Sequence, residues 1–374
     1  MNAQSGRDVS FVLPGRGTSH NPGNRYHENQ IAPTDESIEA RYRRALGEEA
    51  DTSDDRSPGR FPTTHYHSER ARSIISRNQS PDIPFDQSIN PYRGCEHGCI
   101  YCYARPTHAY WDFSPGLDFE TEIVVKHNAP ELLRQSLSKP TYRCRVITIG
   151  ANTDPYQPAE ARFQLTRQML TIFRDFQHPV SLITKSSLVE RDIDLLAELA
   201  AAQLCSVAVS VTTLDASLKR VLEPRAASGR ARVETIRKLA DAGIPVTVMA
   251  APMIPKINDH ELEDILGAAR EAGARASGYI MLRLPLEVAP LFKTWLIEHF
   301  PERAHHVMSI VQQSRAGRDY VSTFHQRMRG SGHFADLLKQ RFELTSRRLR
   351  FENDDRWELD CSRFRVDGPQ LGLF

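Results

Sequence analysis

The sequence is short of cysteine, of long apolar runs and of net charge, and each shortage excludes a class of protein. Six cysteines among 374 residues are too sparse for a disulfide-stapled secreted scaffold. The longest mostly apolar stretch, from Ile244 to Ile257, is interrupted by Pro245, Pro252 and Pro255. It is too short to cross a bilayer, and the opening MNAQSGRDVS lacks the apolar centre of a secretion signal. A soluble, cytoplasmic chain is the expectation. A formal net charge of +1 argues against a globally basic nucleic-acid binder and leaves only local patches to consider. What is present is enough apolar content, 40%, to bury a full core.

Residues 1–80 carry Gly, Pro, Ser and mixed charge without sustained apolar periodicity, as in GRGTSHNPGNRY and DTSDDRSPGR, which predicts a mostly disordered N-terminal arm. From about residue 85 to 283, β-rich runs alternate with amphipathic ones, the pattern of βα units and a parallel sheet. The runs predict strands at 87–92, 145–150, 179–184, 206–212, 245–251 and 278–283, and helices at 161–176, 190–202, 229–242 and 259–272. Gly243 and Gly273 stand where helix C-caps belong. Six such units give an α/β fold, an open partial (β/α)6 barrel of TIM type over 81–289, with its reactive face at the C-terminal ends of the strands. A helical extension over 290–352 and a tail over 353–374 complete the expected organisation.

Half of the cysteines fall in one segment, NPYRGCEHGCIYCYARPTHAY, with Cys95, Cys99 and Cys102 spaced C-x3-C-x2-C directly after the first strand. Three thiolates from one short loop can take three corners of a cubic iron–sulfur cluster and leave the fourth iron open. Gly94 and Gly98 suit a backbone wrapped closely around such a cube. The competing metal is zinc, with His97 or His108 as a fourth ligand, although structural zinc sites favour paired knuckles and no second pair exists here. A non-catalytic, zinc-stabilised module that binds nucleic acid or a sliding clamp is therefore the alternative reading.

The C-x3-C-x-aromatic-C pattern, with Tyr101 in the aromatic place, resembles the signature of the radical S-adenosylmethionine (SAM) superfamily. NPYRGCEHGCIYC together with ANTDPYQPAE is similar to the group related to spore photoproduct lyase, a DNA-repair enzyme. The resemblance implies a [4Fe–4S] cluster on Cys95, Cys99 and Cys102 as metal ligands. It also implies SAM bound at the open iron, an external electron donor, and reductive cleavage of SAM to a 5′-deoxyadenosyl radical. A lyase-like reaction on nucleic acid or a nucleotide-derived lesion follows as the expected activity.

The same resemblance and the barrel register together nominate the SAM contacts. In SVAVSVT, Ser206, Ala208, Ser210 and Thr212 share one strand face and the valines the other. A small, polar inner face marks a ligand cavity, with Ser210 and Thr212 at its reactive end. Asn152 and Thr153, in the GANTD loop after the second strand, are candidates for the SAM amino acid moiety. Lys185 is the candidate for its carboxylate, with Arg225 a weaker one, and Ala251, beside Pro252, for the adenine pocket. One departure stands out: the related lyase returns a hydrogen atom from a cysteine just after the second strand, where this chain has Asn152. Cys144 and Cys205 begin strands and are expected at the opposite end of the barrel.

Two features point to partners. Residues 315–350 hold nine arginines and lysines against three acids, with Tyr320, Phe324, Phe334 and Phe342 interleaved, a composition suited to DNA phosphates and base stacking or to a solvated helix face. The last residues, Gln370 to Phe374 (QLGLF), resemble the short peptide by which bacterial repair proteins dock on the sliding clamp.

Overall fold

The computed structural model describes residues 15–26, 63–353 and 358–366. Six parallel strands lie side by side in chain order: β3 (Gln87–Ile89), β6 (Ile147–Ile149), β7 (Val180–Thr184), β8 (Cys205–Ser210), β9 (Val246–Met253) and β10 (Ala276–Met281). The short β2 (Ser76–Arg77) caps the β3 edge in antiparallel pairing. This is the open partial barrel expected from the periodicity. The helices α1 (Ala129–Leu137), α2 (Leu165–Asp175), α3 (Ile193–Ala201), α4 (Gly229–Asp241) and α5 (Leu262–Glu271) connect the strands. Each presents one apolar stripe to the sheet; α2, for instance, buries Leu165, Met169, Leu170, Ile172 and Phe173.

Local chemistry ends these elements where the sequence suggests. The Ser228 hydroxyl caps α4 by accepting from Ala231 N at 3.2 Å. At the other end Gly243, at φ +78°, lets Ile244 N return to Leu239 O at 3.0 Å, a helix stop that a side chain would strain. Along β8, Val207 and Val209 join the main apolar core with Ile236 and Leu239 of α4. Ser206 and Ala208, which alternate with them, are half-exposed on the inner face. Strand register extends that face into rows, Ile183–Ala208–Thr247–Ala276 and Ser210–Met249–Gly278. Apart from Ile183 and Met249, these rows are small or hydroxyl side chains, while the valines face helices.

Two parts of the chain depart from the expectation. First, the strand expected to run to residue 92 ends at Ile89, because Pro91 has no N–H with which to continue the ladder. Tyr92 and Arg93 instead form β4, which pairs with β5 (Glu122–Lys126), itself paired in parallel with β1 (His65–Glu69), in a separate three-stranded sheet. Second, within the segment expected to be a disordered arm, residues 15–26 and 63–80 are packed: Arg16 is buried and β1 is a paired strand. The C-terminal helical extension is present as expected and packs on the barrel. After α6 (Val288–His299) and α7 (Pro301–Gln313), α8 (His333–Arg348) returns to the outside of the barrel, where Phe342 lies 4.7 Å from Tyr279 of β10, ring to ring.

Between α7 and α8, residues 314–332 form a strap across the gap between the two sheet edges, β10 and β2. Arg327 reaches the buried Asp82 carboxylate and the Ser80 hydroxyl just beyond β2, and His325 N donates to Asp82 Oδ1 at 2.6 Å. At the N-terminal end of the strands, the tail docks through Phe364 against Tyr142, Phe176 and His178. Asp360 N adds a bond to Gln203 O at 2.9 Å. Cys144 and Cys205 lie at this end, as expected; the proposed clamp peptide, Gln370 to Phe374, lies outside the described residues. No helix among the described residues is long and apolar enough to cross a membrane.

Candidate active site

The cysteine loop leaves β4 and is held on every side by backbone and side-chain bonds. Cys95 N donates to Phe119 O at 2.8 Å, Ile100 N to Leu222 O at 3.3 Å, and Glu96 N to Gln157 Oε1 at 3.1 Å, while Gln157 Nε2 returns to Gly94 O at 3.0 Å. From behind, the fully buried Arg105 donates to Cys99 O at 3.1 Å and to Glu120 Oε1 at 2.5 Å. Gly98 sits at φ +68°, and a Cβ there would lie 2.8 Å from Glu120 Oε2 and 3.0 Å from the Pro224 ring. Gly17 of the N-terminal segment seats against the same turn: its N–H donates to Glu120 Oε2 at 2.9 Å, and a Cβ on it would meet Gly98 O at 1.8 Å. Nothing larger than glycine fits at that contact.

Inside this wrap Cys95 and Cys99 are buried and Cys102 half-buried, all three as free thiols. Cys102 packs against both of the others' apolar surroundings. Burial pushes the three thiols up; for Cys95 the Asp154 carboxylate and the other two sulfurs add to the effect. Such thiols become thiolates only beside a compensating positive centre, which is what a metal cluster supplies. Among the described residues no three His, Cys, Asp or Glu side chains converge on a point that a single ion could occupy. A cubic cluster holds its ligands at separate corners and has no need of such a point. The zinc alternative does; of its two candidate histidines, His108 is buried with both ring nitrogens unpartnered among the described residues. His97 Nδ1 faces Asp154 Oδ2 at 3.4 Å, and His108 stacks on Phe113 at 5.1 Å with its imidazole lowered to about 4 by burial.

The second quoted motif proves to be the clasp of the first. In ANTDPYQPAE, Gln157 holds Gly94 and Glu96, and Glu160 accepts from the Tyr92 hydroxyl. Asp154 is half-buried, accepting from Thr184 Oγ1 and Lys185 N, each at 2.7 Å. Thr153 also has a structural bond, from Oγ1 to Tyr92 O at 3.0 Å, and is buried, so its hydroxyl turns to the cysteine loop rather than to the lumen. Asn152 stays at the mouth, its amide 3.4 Å from Thr107 Oγ1.

Four nominated residues converge beside Cys99, around a carboxylate that sequence reasoning missed. Glu223, wholly buried, accepts from Thr212 Oγ1 at 2.7 Å, from the Tyr101 hydroxyl and from Arg232 Nη2, with Lys185 Nζ at 3.6 Å. Lys185 Nζ also donates to Ala251 O at 3.3 Å, and Thr212 Oγ1 reaches the same carbonyl at 2.9 Å. Arg232 Nη1 donates to Ser210 O at 3.0 Å, placing Ser210 at the rim of the cluster of groups. Burial alone would raise the Glu223 carboxyl, but Arg232 and Lys185 together hold it well below the usual carboxylate range. Arg225, two residues on, is paired with Glu96 at 3.1 Å and belongs to the loop's scaffold, not to this pocket. The signal for Glu223 was its place in LEPRAASGR, a loop already singled out for its arginine.

The basic stretch divides in two. Arg327 is bound to Asp82 in the strap, and Arg341 of α8 to Glu263 at 2.6 Å and the Asp259 carbonyl at 2.9 Å, so these two are structural cations. The remaining charge nearest the barrel mouth lies on the strap.

These features define a cluster-binding barrel whose reactive face is at the strand C-termini. Residues 89–269 match the radical SAM superfamily. An uncharacterised protein of Mycobacterium tuberculosis is 37% identical over 245 residues, covering 65% of this chain and 72% of that protein. Another, from Methanocaldococcus jannaschii, is 30% identical over 252 residues, covering 67% and 88%. The chain belongs to the radical SAM superfamily, whose cofactors are a [4Fe–4S] cluster and SAM. Its fold is similar to spore photoproduct lyase complexed with a dinucleoside spore photoproduct, with a TM-score of 0.53 at 14% identity over 76% of this chain and 79% of that one. A variant of that lyase with bound AdoMet and the dinucleoside gives a TM-score of 0.54 at 14% identity, over 87% and 86%.

Proposed function

We propose that this protein is a SAM-cleaving enzyme acting on nucleic acid or a nucleotide-derived lesion, with Cys95, Cys99 and Cys102 as the cluster ligands. The observation that carries the reading is the convergence of three free thiols, two buried and one half-buried, with the pocket of Lys185, Thr212, Ala251 and Tyr101. When bound, the cluster and SAM supply reductive cleavage of the sulfonium to a 5′-deoxyadenosyl radical. The chain's own residues then have distinct tasks. Lys185 offers an ammonium to the SAM carboxylate. Ser210 and Asn152 present hydrogen-bonding groups at the lumen and mouth, and Ala251, with its small side chain, leaves room for the adenine. Tyr101 and Thr212 do not reach outward; tied to Glu223, they fix the wall against which SAM lies. Similarity in fold to a lyase that binds a dinucleoside lesion supports a DNA-repair-like role, as does basic residue content at the mouth.

Anaerobic reconstitution with iron and sulfide tests the reading. About four irons per chain and release of 5′-deoxyadenosine from SAM under a reductant are expected, with turnover rising in the presence of damaged DNA. Stoichiometric zinc and no iron uptake would return the protein to the non-catalytic alternative.

A further inference from the structure

Among the described residues, two guanidinium groups at the barrel mouth have no carboxylate partner. Arg283 follows β10 at the C-terminal end of the sheet, on the reactive side. Among the described residues its Nη1 meets the Met328 sulfur at 3.4 Å and its Nη2 the Tyr320 hydroxyl at 3.5 Å, both on the strap, and its Nε is buried without a partner. The guanidinium lies over the ring of Tyr103, at 4.9 Å, on the cysteine loop. Arg315 stands behind it, almost fully buried, donating to Leu282 O at 3.0 Å and to Gln326 O, again with an orphaned Nε. Burial and the neighbouring Arg283 charge bring Arg315 down to about 10. The acid nearest in sequence, Asp319, faces away, bound to Lys293 Nζ at 2.6 Å and Gln312 Nε2 at 2.9 Å. Among the described residues neither arginine forms an ion pair.

Two like charges, close together and partly desolvated, are unfavourable unless an anion joins them. Arginine's planar fork matches phosphate oxygens, the Tyr320 hydroxyl adds a donor, and the tyrosine rings offer stacking faces suited to bases. We propose that Arg283, backed by Arg315 and walled by Tyr103 and Tyr320, is a phosphodiester-binding subsite that fixes a backbone phosphate of the substrate strand at the barrel mouth. This rests on the nucleic-acid reading above and adds to it a position: the strand enters between the cysteine loop and the strap. The α8 half of the basic stretch has no part in it.

The test uses full-length, anaerobically reconstituted protein and fluorescence anisotropy with a labelled ten-nucleotide single-stranded DNA. Arg283→Gln should weaken binding about tenfold and flatten the salt dependence by about 0.7 in the log–log slope. Arg347→Gln, on the exposed face of α8, should change affinity less than about twofold. A series of single neutral methylphosphonate linkages should reveal one position that weakens the wild type but has no further effect in Arg283→Gln, the non-additivity expected of a direct contact. Inorganic phosphate should compete with the wild type and not with the residual binding of the variant. Cluster absorption and thermal melting confirm that the variant is folded, and Arg283→Lys should recover part of the affinity. Equal affinity and equal salt slope for Arg283→Gln and wild type would overturn the subsite while leaving the nucleic-acid reading standing. Wild type that binds inorganic phosphate through Arg283 but no oligonucleotide would overturn the strand assignment and the nucleic-acid reading together.

Discussion

Replacing Glu223 with glutamine removes the charge at the centre of the pocket and should cost the fold about 3 kcal/mol. The carboxylate balances Arg232, which is as deeply buried as itself, and sits 3.6 Å from the Lys185 ammonium. Removing one member of a buried ion pair costs about 3–5 kcal/mol, because the other charge is left uncompensated. The lower end applies here. Arg232 keeps carbonyl acceptors at Ser210, 3.0 Å, and Ala227, 2.9 Å, and the glutamine oxygen can still receive the Thr212 or Tyr101 hydroxyl. Glu223→Leu, which leaves those donors without an oxygen, should lie near the upper end. The folded carboxyl titrates below its unfolded value of about 4.3. Its stabilisation is therefore complete above that pH and is lost as the pH falls through the folded value. Urea unfolding followed by far-UV circular dichroism, at pH 7 and in acid, measures both effects. A loss under about 1 kcal/mol at neutral pH, or a loss just as large at pH 3, would refute the account of the pocket as a charge-balanced cluster.

Changing Cys95, Cys99 or Cys102 to Ala should abolish iron uptake and its visible absorption in reconstituted protein. Cys144→Ala and Cys205→Ala, at the opposite end of the strands, should leave both intact, and loss of iron in either would contradict their placement. Lys185→Ala should weaken SAM binding roughly ten- to hundredfold, as expected for one charge-assisted contact of about 1.5–3 kcal/mol, while iron content is unchanged; equal affinity by equilibrium dialysis would remove it from the SAM site. We propose that residues 370–374 dock on the sliding clamp: deleting them should abolish capture by an immobilised clamp without altering iron content or SAM cleavage, and no capture of the intact chain, or capture that survives the deletion, would end that reading.

The barrel was legible because its strands and helices carry periods that burial enforces: β8 alternates valine with small residues, and α2 repeats its apolar positions at helical spacing. The cysteine loop was legible because few proteins need three thiols at that spacing. The second sheet was not. EIVVK is not among the expected strands, and its partners, Tyr92–Arg93 and His65–Glu69, are brought to it by contacts across tens of residues that no local pattern encodes. Glu223 escaped for a related reason. A lone glutamate in a loop looks like a solvated charge, and only the approach of Arg232, Lys185, Thr212 and Tyr101 from four separate segments makes it the hub of the pocket. Thr153 illustrates the converse: its position at a strand end was read correctly, but the direction of its hydroxyl is set by Tyr92, a residue on another element.

The strap has a consequence for how this barrel can change over time. In a closed barrel the bore is tied to strand number and shear, so enlarging it means adding strands or shifting every register. Here the last stretch of wall is a loop fastened by Arg327 to Asp82, and the hydrogen-bonded ladder stops at β2 and β10 on either side of it. Residues can be inserted or removed between Arg315 and Arg327 without touching a single strand pairing, since loops on a rigid frame tolerate such changes. The circumference at the mouth, and with it the girth of the molecule admitted, is then an adjustable property of one segment, while the cysteine loop and the six strands that position it stay fixed.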